Sequence, residues 1–142
     1  MKSRFLSIGA LVLATLTLSA CSVASGATAA PVDYPFQEEQ FVQQNEHSQD
    51  VTIDTGKSFT ITVPSNASTG FQWTGAVPSD SPVQLVDHKY VEGQAMPGAA
   101  GTEVWTFKAQ RAGTCAILLE YSRPWEGGEK AIRTLTIDVT VK

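Results

Sequence analysis

The sequence predicts an all-β fold, an antiparallel β-sandwich, and three observations carry that prediction. From Val51 onward apolar residues recur at every second position. Clusters of turn-forming residues interrupt the alternation, and no long helical period appears after residue 50. The first clear case is Phe59, Ile61 and Val63, which alternate with Ser58, Thr60 and Thr62 behind the turn signal Asp54-Thr55-Gly56-Lys57. Further strands are expected at residues 71–74, 83–91, 103–109, 114–121 and 131–141. One face of the third holds Trp105, Phe107 and Ala109; of the fourth, Cys115, Ile117, Leu119 and Tyr121; of the last, Leu135, Ile137, Val139 and Val141. Between them stand Pro64-Ser65-Asn66, Pro78-Ser79-Asp80-Ser81-Pro82, Pro97-Gly98, Ala112-Gly113 and Gly127-Gly128, all residues that favour turns. Short strands packed into residues 51–142 point to an immunoglobulin-like sandwich, without the Cys–Trp–Cys hallmark of antibody domains.

The whole chain has 142 residues, 42 % of them hydrophobic and 17 % charged, which fits one ordinary packed domain and excludes intrinsic disorder and a polytopic membrane protein. Ten basic residues stand against fourteen acidic ones, for a net charge of −4. Nucleic-acid binding needs a clustered positive field, so this balance argues against it.

The N-terminus has the layout of a signal peptide over residues 1–20: Lys2 and Arg4, then an apolar run from Phe5 to Leu18, then Ser19-Ala20-Cys21. A spanning helix needs about 20 apolar residues, and the run is shorter. Leu18-Ser19-Ala20-Cys21 resembles the bacterial lipobox, which implies lipidation of Cys21 and a membrane anchor. By the convention of such lipoproteins, Ser22 in place of Asp implies the periplasmic face of the outer membrane of a bacterial cell envelope. Residues 21–50 are then expected to form the lipidated cysteine, a small-residue tether and a Gln/Glu-rich arm, helical or irregular, and residues 51–142 the folded domain. With Cys21 acylated, Cys115 has no disulfide partner and is expected to be a small buried thiol.

No recognised catalytic or metal-binding motif occurs, and two histidines are too few for most zinc sites. Glu38-Glu39 reads as a solvated pair, and the glycosylation triplet Asn66-Ala67-Ser68 as accidental in a bacterial envelope. An enzyme, a metal and a cofactor are therefore not expected. The informative residues fall between strands, where function concentrates. Asn66-Ala67-Ser68-Thr69-Gly70-Phe71 can form a tight turn, with Asn66 and Gly70 able to take left-handed geometry and Phe71 closing it onto the core. Pro97-Gly98-Ala99-Ala100-Gly101 offers small side chains over which a partner's backbone can pass closely. Tyr121-Ser122-Arg123-Pro124-Trp125-Glu126-Gly127-Gly128 carries an Arg and a Trp, the types that dominate interface hot spots, on a proline-stiffened loop.

In this order the three loops resemble the chagasin-like family of cysteine-peptidase inhibitors, whose members pair Asn-Pro-Thr-Thr-Gly-Phe/Tyr, Gly-x-Gly-Gly and Arg-Pro-Trp/Phe motifs at one end of an immunoglobulin-like sandwich. The resemblance implies a monomeric inhibitor of papain-like cysteine peptidases that blocks the active-site cleft with three loops. It places Asn66, Ser68, Thr69, Gly70 and Phe71 in the first, with Ser68-Thr69-Gly70 over the catalytic cysteine. Gly98 and Gly101 belong to the second loop, and Arg123, Pro124 and Trp125 to the third. Two residues depart from the family pattern, Ala67 in place of Pro and Ala100 in place of Gly; a left-handed backbone at Ala100 would cost about 1–2 kcal/mol. The competing expectation is a cell-envelope β-sandwich binding module that recognises another protein or a glycan.

Overall fold

The computed structural model describes residues 29–142 apart from Ala95 and Pro97, so the expectations for the leader and Cys21 lie outside the described residues. Eight strands and one short helix follow in the order β1 (Val32–Pro35), α1 (Glu38–Gln43), β2 (Glu46–Ile53), β3 (Ser58–Ser65), β4 (Gln72–Ala76), β5 (Val83–Val91), β6 (Gly101–Ala109), β7 (Gly113–Ser122) and β8 (Arg133–Val141). They form two four-stranded sheets, β1-β3-β6-β5 and β2-β8-β7-β4. The expected all-β immunoglobulin-like sandwich is therefore present. Its pairings are antiparallel except for the two N-terminal strands, β1 on β3 and β2 on β8, which run parallel.

The core is the sum of the inward stripes. Phe59, Ile61 and Val63 of β3 and Trp105, Phe107 and Ala109 of β6 face Ile117, Leu119 and Tyr121 of β7 and Leu135, Ile137, Val139 and Val141 of β8, all buried. Burying a side chain of this size is worth about 1.5–3 kcal/mol, so these stripes hold the sheets together. Trp73 of β4 is buried as well, its indole N–H donating to the carbonyl of Pro64 at 2.8 Å.

Two expectations need correction. The arm assigned to residues 21–50 ends earlier, because from Val32 the chain is part of the sandwich. β1 lies beside β3, where the hydroxyls of Thr60 and Thr62 donate to Asp33 Oδ1 at 2.6 and 2.9 Å. α1 is the helical alternative; its acidic residues Glu38 and Glu39 suit the positive end of the helix. Phe36 and Phe41 enter the core, and Arg133 pairs with Glu38 while its guanidinium lies 5.3 Å from the Phe41 ring. Cys115 is also less enclosed than expected. It is a free thiol packed against the core but only half-buried, since it lies near the start of β7, opposite Val139. No helix among the described residues is long and apolar enough to cross a membrane.

Strand direction decides where the loops go. The last residue of β3, Ser65, pairs with the first of β6, Gly101, and Val91 near the end of β5 pairs with Thr102. In the other sheet the first residue of β4, Gln72, pairs with Ser122 at the end of β7, and Arg133 at the start of β8 pairs with Tyr121. The connections β3–β4, β5–β6 and β7–β8 therefore all emerge at one end of the sandwich. The chain enters β1 opposite Phe59, near the start of β3, at the other end.

Candidate functional site, three loops locked together at one end

The first loop crosses from one sheet to the other, and Asn66 organises it. Its side-chain Oδ1 accepts from the Ser68 amide at 3.1 Å and the Ser68 hydroxyl at 2.6 Å, and its carbonyl accepts from the Thr69 amide at 3.1 Å and hydroxyl at 2.7 Å. These bonds wind Ala67–Thr69 into one turn of 3₁₀ helix. Gly70 closes the turn with φ +77°, in the left-handed region that favours glycine, and its N–H donates to the Ala67 carbonyl. Asn66 itself is extended (φ −129°, ψ 94°), so of the two residues able to turn left-handed only Gly70 does so. Ala67, Ser68 and Thr69 are exposed, and Phe71 stacks on Tyr121 with centroids 5.3 Å apart.

The third loop is a hairpin connection braced from within. The Arg123 amide donates to the Glu129 carbonyl at 2.8 Å, and the Arg123 guanidinium pairs with the Glu129 carboxylate at 2.9 Å. Lys130 Nζ donates to the carbonyl oxygens of Arg123 and Trp125. The Arg123 guanidinium also lies 4.4 Å from the Phe71 ring centroid and donates through Nε to the Thr69 carbonyl at 3.3 Å. Its half-buried side chain thus fastens the third loop to the first. Trp125 remains 51 % exposed while the edge of its ring lies on Gly70, where an added Cβ would come within 2.4 Å of it.

The second loop completes the row on the other flank. Asn66 Nδ2 donates to the Gly98 carbonyl at 3.4 Å, and Gly98 is exposed with φ +79°. Met96 beside it is 71 % exposed. Ala100 has no positive φ, so the strain that a left-handed alanine would carry does not arise there. Gly101 corrects an expectation. It is buried as the first residue of β6 and does not present itself to a partner; a Cβ there would lie 2.3 Å from the Val91 carbonyl oxygen and 2.6 Å from the Tyr90 hydroxyl. The structure brings together Asn66, Ser68, Thr69, Gly70, Phe71, Gly98, Arg123, Pro124 and Trp125. The resulting ridge has small side chains at its centre, with Trp125 on one flank and Met96 with Gly98 on the other.

Under this ridge lies a residue that loop motifs alone do not reveal. Glu103 is buried, and its Oε1 accepts from the Ser65 hydroxyl at 2.7 Å and the Trp73 amide at 3.1 Å, while Oε2 meets His88 Nε2 at 2.7 Å. His88 stacks on Trp105 with centroids 3.7 Å apart. The sequence signal is the register: Glu103 occupies the inward stripe of Trp105, Phe107 and Ala109, where a carboxylate must be satisfied. No group of three or more His, Cys, Asp or Glu residues that could hold a metal ion occurs among the described residues.

A stiff sandwich that raises an interlocked, partly apolar ridge from one end belongs to the class of small loop-presenting binding proteins. Residues 52–141 match the chagasin family peptidase inhibitor model (I42), and the chain belongs to that family, whose members are peptidase inhibitors and not enzymes. It is 34 % identical over 82 residues to chagasin of Trypanosoma cruzi, covering 54 % of this chain and 74 % of chagasin. To amoebiasin-2 of Entamoeba histolytica it is 33 % identical over 84 residues, covering 58 % and 68 %. Among solved structures, the cysteine protease inhibitor EhICP2 of Entamoeba histolytica superposes with a TM-score of 0.59 at 24 % identity, over 78 % of this chain and 96 % of that one. PbICP-C, solved in complex with falcipain-2, gives 0.55 at 19 % identity, over 78 % and 99 %. At these identities the two structures speak for the fold.

Proposed function

We propose that the chain inhibits papain-like cysteine peptidases by pressing its three-loop ridge into the active-site cleft, with Ser68-Thr69-Gly70 over the catalytic cysteine. The observation that carries this reading is the mutual locking of the loops: Thr69 is bound by Arg123, Gly70 is covered by Trp125, and Asn66 reaches Gly98. A ridge already ordered in the free protein loses little conformational entropy on docking, which favours tight binding through a small area. The 3₁₀ turn also holds the first loop in a curled path, whereas cleavage needs an extended bond in attack geometry. Trp125 supplies the apolar anchor on one flank. The fold relative seen with falcipain-2 is consistent with a peptidase partner.

The same reading makes the chain a monomeric lipoprotein of the bacterial cell envelope, held through Cys21 on the periplasmic face of the outer membrane. The support is the placement of Leu18-Ser19-Ala20-Cys21 after a short apolar run. It agrees with the entry of the chain into β1 at the end away from the ridge, which leaves the loops pointing away from the attachment point. Titration of residues 22–142 against papain tests the inhibitory reading. Stoichiometric loss of peptidase activity with the inhibitor recovered intact is expected. No inhibition of papain or its relatives would refute it and leave a module that binds another protein or a glycan.

A further inference from the structure

We infer that Glu103 is the positioning residue of the ridge: its carboxylate sets the separation of the two feet of the first loop, and so the shape that enters the peptidase. The inference rests on the inhibitory reading above and extends it to a residue that touches no partner. Ser65 is the last residue of β3 and Trp73 the second of β4, and they belong to different sheets. A single oxygen, Glu103 Oε1, accepts from both, at 2.7 Å from the Ser65 hydroxyl and 3.1 Å from the Trp73 amide. The carboxylate thus bolts the sheets together directly beneath the loop that bridges them. Its other oxygen lies 2.7 Å from Nε2 of His88, which stands on β5 three residues before that strand ends, so the foot of the second loop is tied to the same group. β4 lies at an edge of its sheet, and the Trp73 amide finds its partner in this carboxylate rather than in a neighbouring strand. Without Glu103 this buried donor and the ring of His88 lose their partner, and the feet of the loop are free to separate.

The test compares Glu103→Ala with Glu103→Gln and with Val139→Ala in the whole chain purified in mild detergent. Val139 is a buried β8 residue six positions past the start of that strand, roughly 20 Å from the ridge. It serves as the control for a general loss of stability. Two quantities are read: hydrogen exchange at the Ser68, Thr69 and Gly70 amides of the free protein, and inhibition of papain together with cutting of the first loop on long incubation. Glu103→Ala should speed exchange at these amides and weaken inhibition, each by about tenfold or more, and turn the loop into a slow substrate. Glu103→Gln should recover most of both, since its carbonyl oxygen still accepts from Ser65 and Trp73. Val139→Ala, at a comparable loss of melting temperature, should leave loop exchange and inhibition near the parent's. If Glu103→Ala does not fold, Ser65→Ala, which removes one donor only, should move both readouts in the same direction by less. Equal loop exchange in Glu103→Ala and Val139→Ala would overturn the inference. A parent chain that fails to inhibit would overturn the inhibitory reading alone, because the exchange comparison needs no peptidase.

Discussion

Replacing Gly70 by Ala perturbs the ridge in two separable ways. The residue has φ +77°, so an alanine there carries the left-handed penalty of about 1–2 kcal/mol. The new Cβ would also lie 2.4 Å from the tip of the Trp125 ring, which must move. Because that ring is 51 % exposed and caps the loop from outside, it can swing away without disturbing the sheets. The stability cost should therefore stay near the backbone term, a drop of roughly 4–8 °C in Tm for a domain of this size. Inhibition should suffer more, because the displaced Trp125 is the expected anchor: Trp125→Ala alone should cost about 2–4 kcal/mol of binding, roughly 30- to 1000-fold, with Tm almost unchanged. A double-mutant cycle measured by papain titration isolates the coupling. With Trp125 already removed, Gly70→Ala should cost little further binding, because the backbone strain is carried by the free and the bound inhibitor alike, leaving a non-additivity that approaches the Trp125 contribution of about 2–4 kcal/mol. Strict additivity would mean that Trp125 does not rest on Gly70 in solution, and the interlocked ridge would be refuted.

Thr69→Asp should abolish tight inhibition, since a charge pressed into a closed cleft without a partner costs several kcal/mol, while the exposed turn gives up only the Thr69–Asn66 hydrogen bond and a few degrees of Tm; parent-like inhibition by this variant would place the first loop outside the cleft. Ala67→Pro should stabilise the free protein by about 0.4–1 kcal/mol in chemical denaturation, because Ala67 is the first residue of the 3₁₀ turn, its N–H donates no hydrogen bond among the described residues, and Asn66 before it is already extended. Mass spectrometry of protein extracted from its native membrane should show residues 1–20 absent and Cys21 acylated; an unmodified soluble form would exclude the anchor.

Where apolar residues recur at every second position, as in β3, β6, β7 and β8, both the strands and their buried faces were legible. The signal fades in the N-terminal strands for a physical reason. β2 places His47 and Gln49 at its half-buried positions, with Val51 and Ile53 buried only near its end, and β1 is four residues long. Parallel pairing of both with strands late or central in the fold leaves no local trace. In the site, the three loops could be read because their turns need specific residues, Asn66 and Gly70 above all. The inward turn of Arg123 and the burial of Gly101 could not, since each depends on a neighbour distant in sequence: Thr69 and Phe71 for one, Tyr90 and Val91 for the other. Glu103 belongs to no loop motif, and only its register, two residues before Trp105 on the inward stripe of β6, marks it.

The three loops differ in how freely they can diversify. The second and third each return the chain to a neighbouring strand of one sheet, β5 to β6 and β7 to β8, so insertions there lengthen a hairpin tip and leave the scaffold untouched. The first must span the gap of about 10 Å between two packed sheets, with its feet clasped by one buried carboxylate. A residue added or lost there would pull the sheets out of register. The central loop is thus held to one length while its neighbours are open to change; under the proposed inhibitory reading this would divide the labour between a constant plug and two adjustable lips, and would let one scaffold be refitted to peptidases whose cleft rims differ.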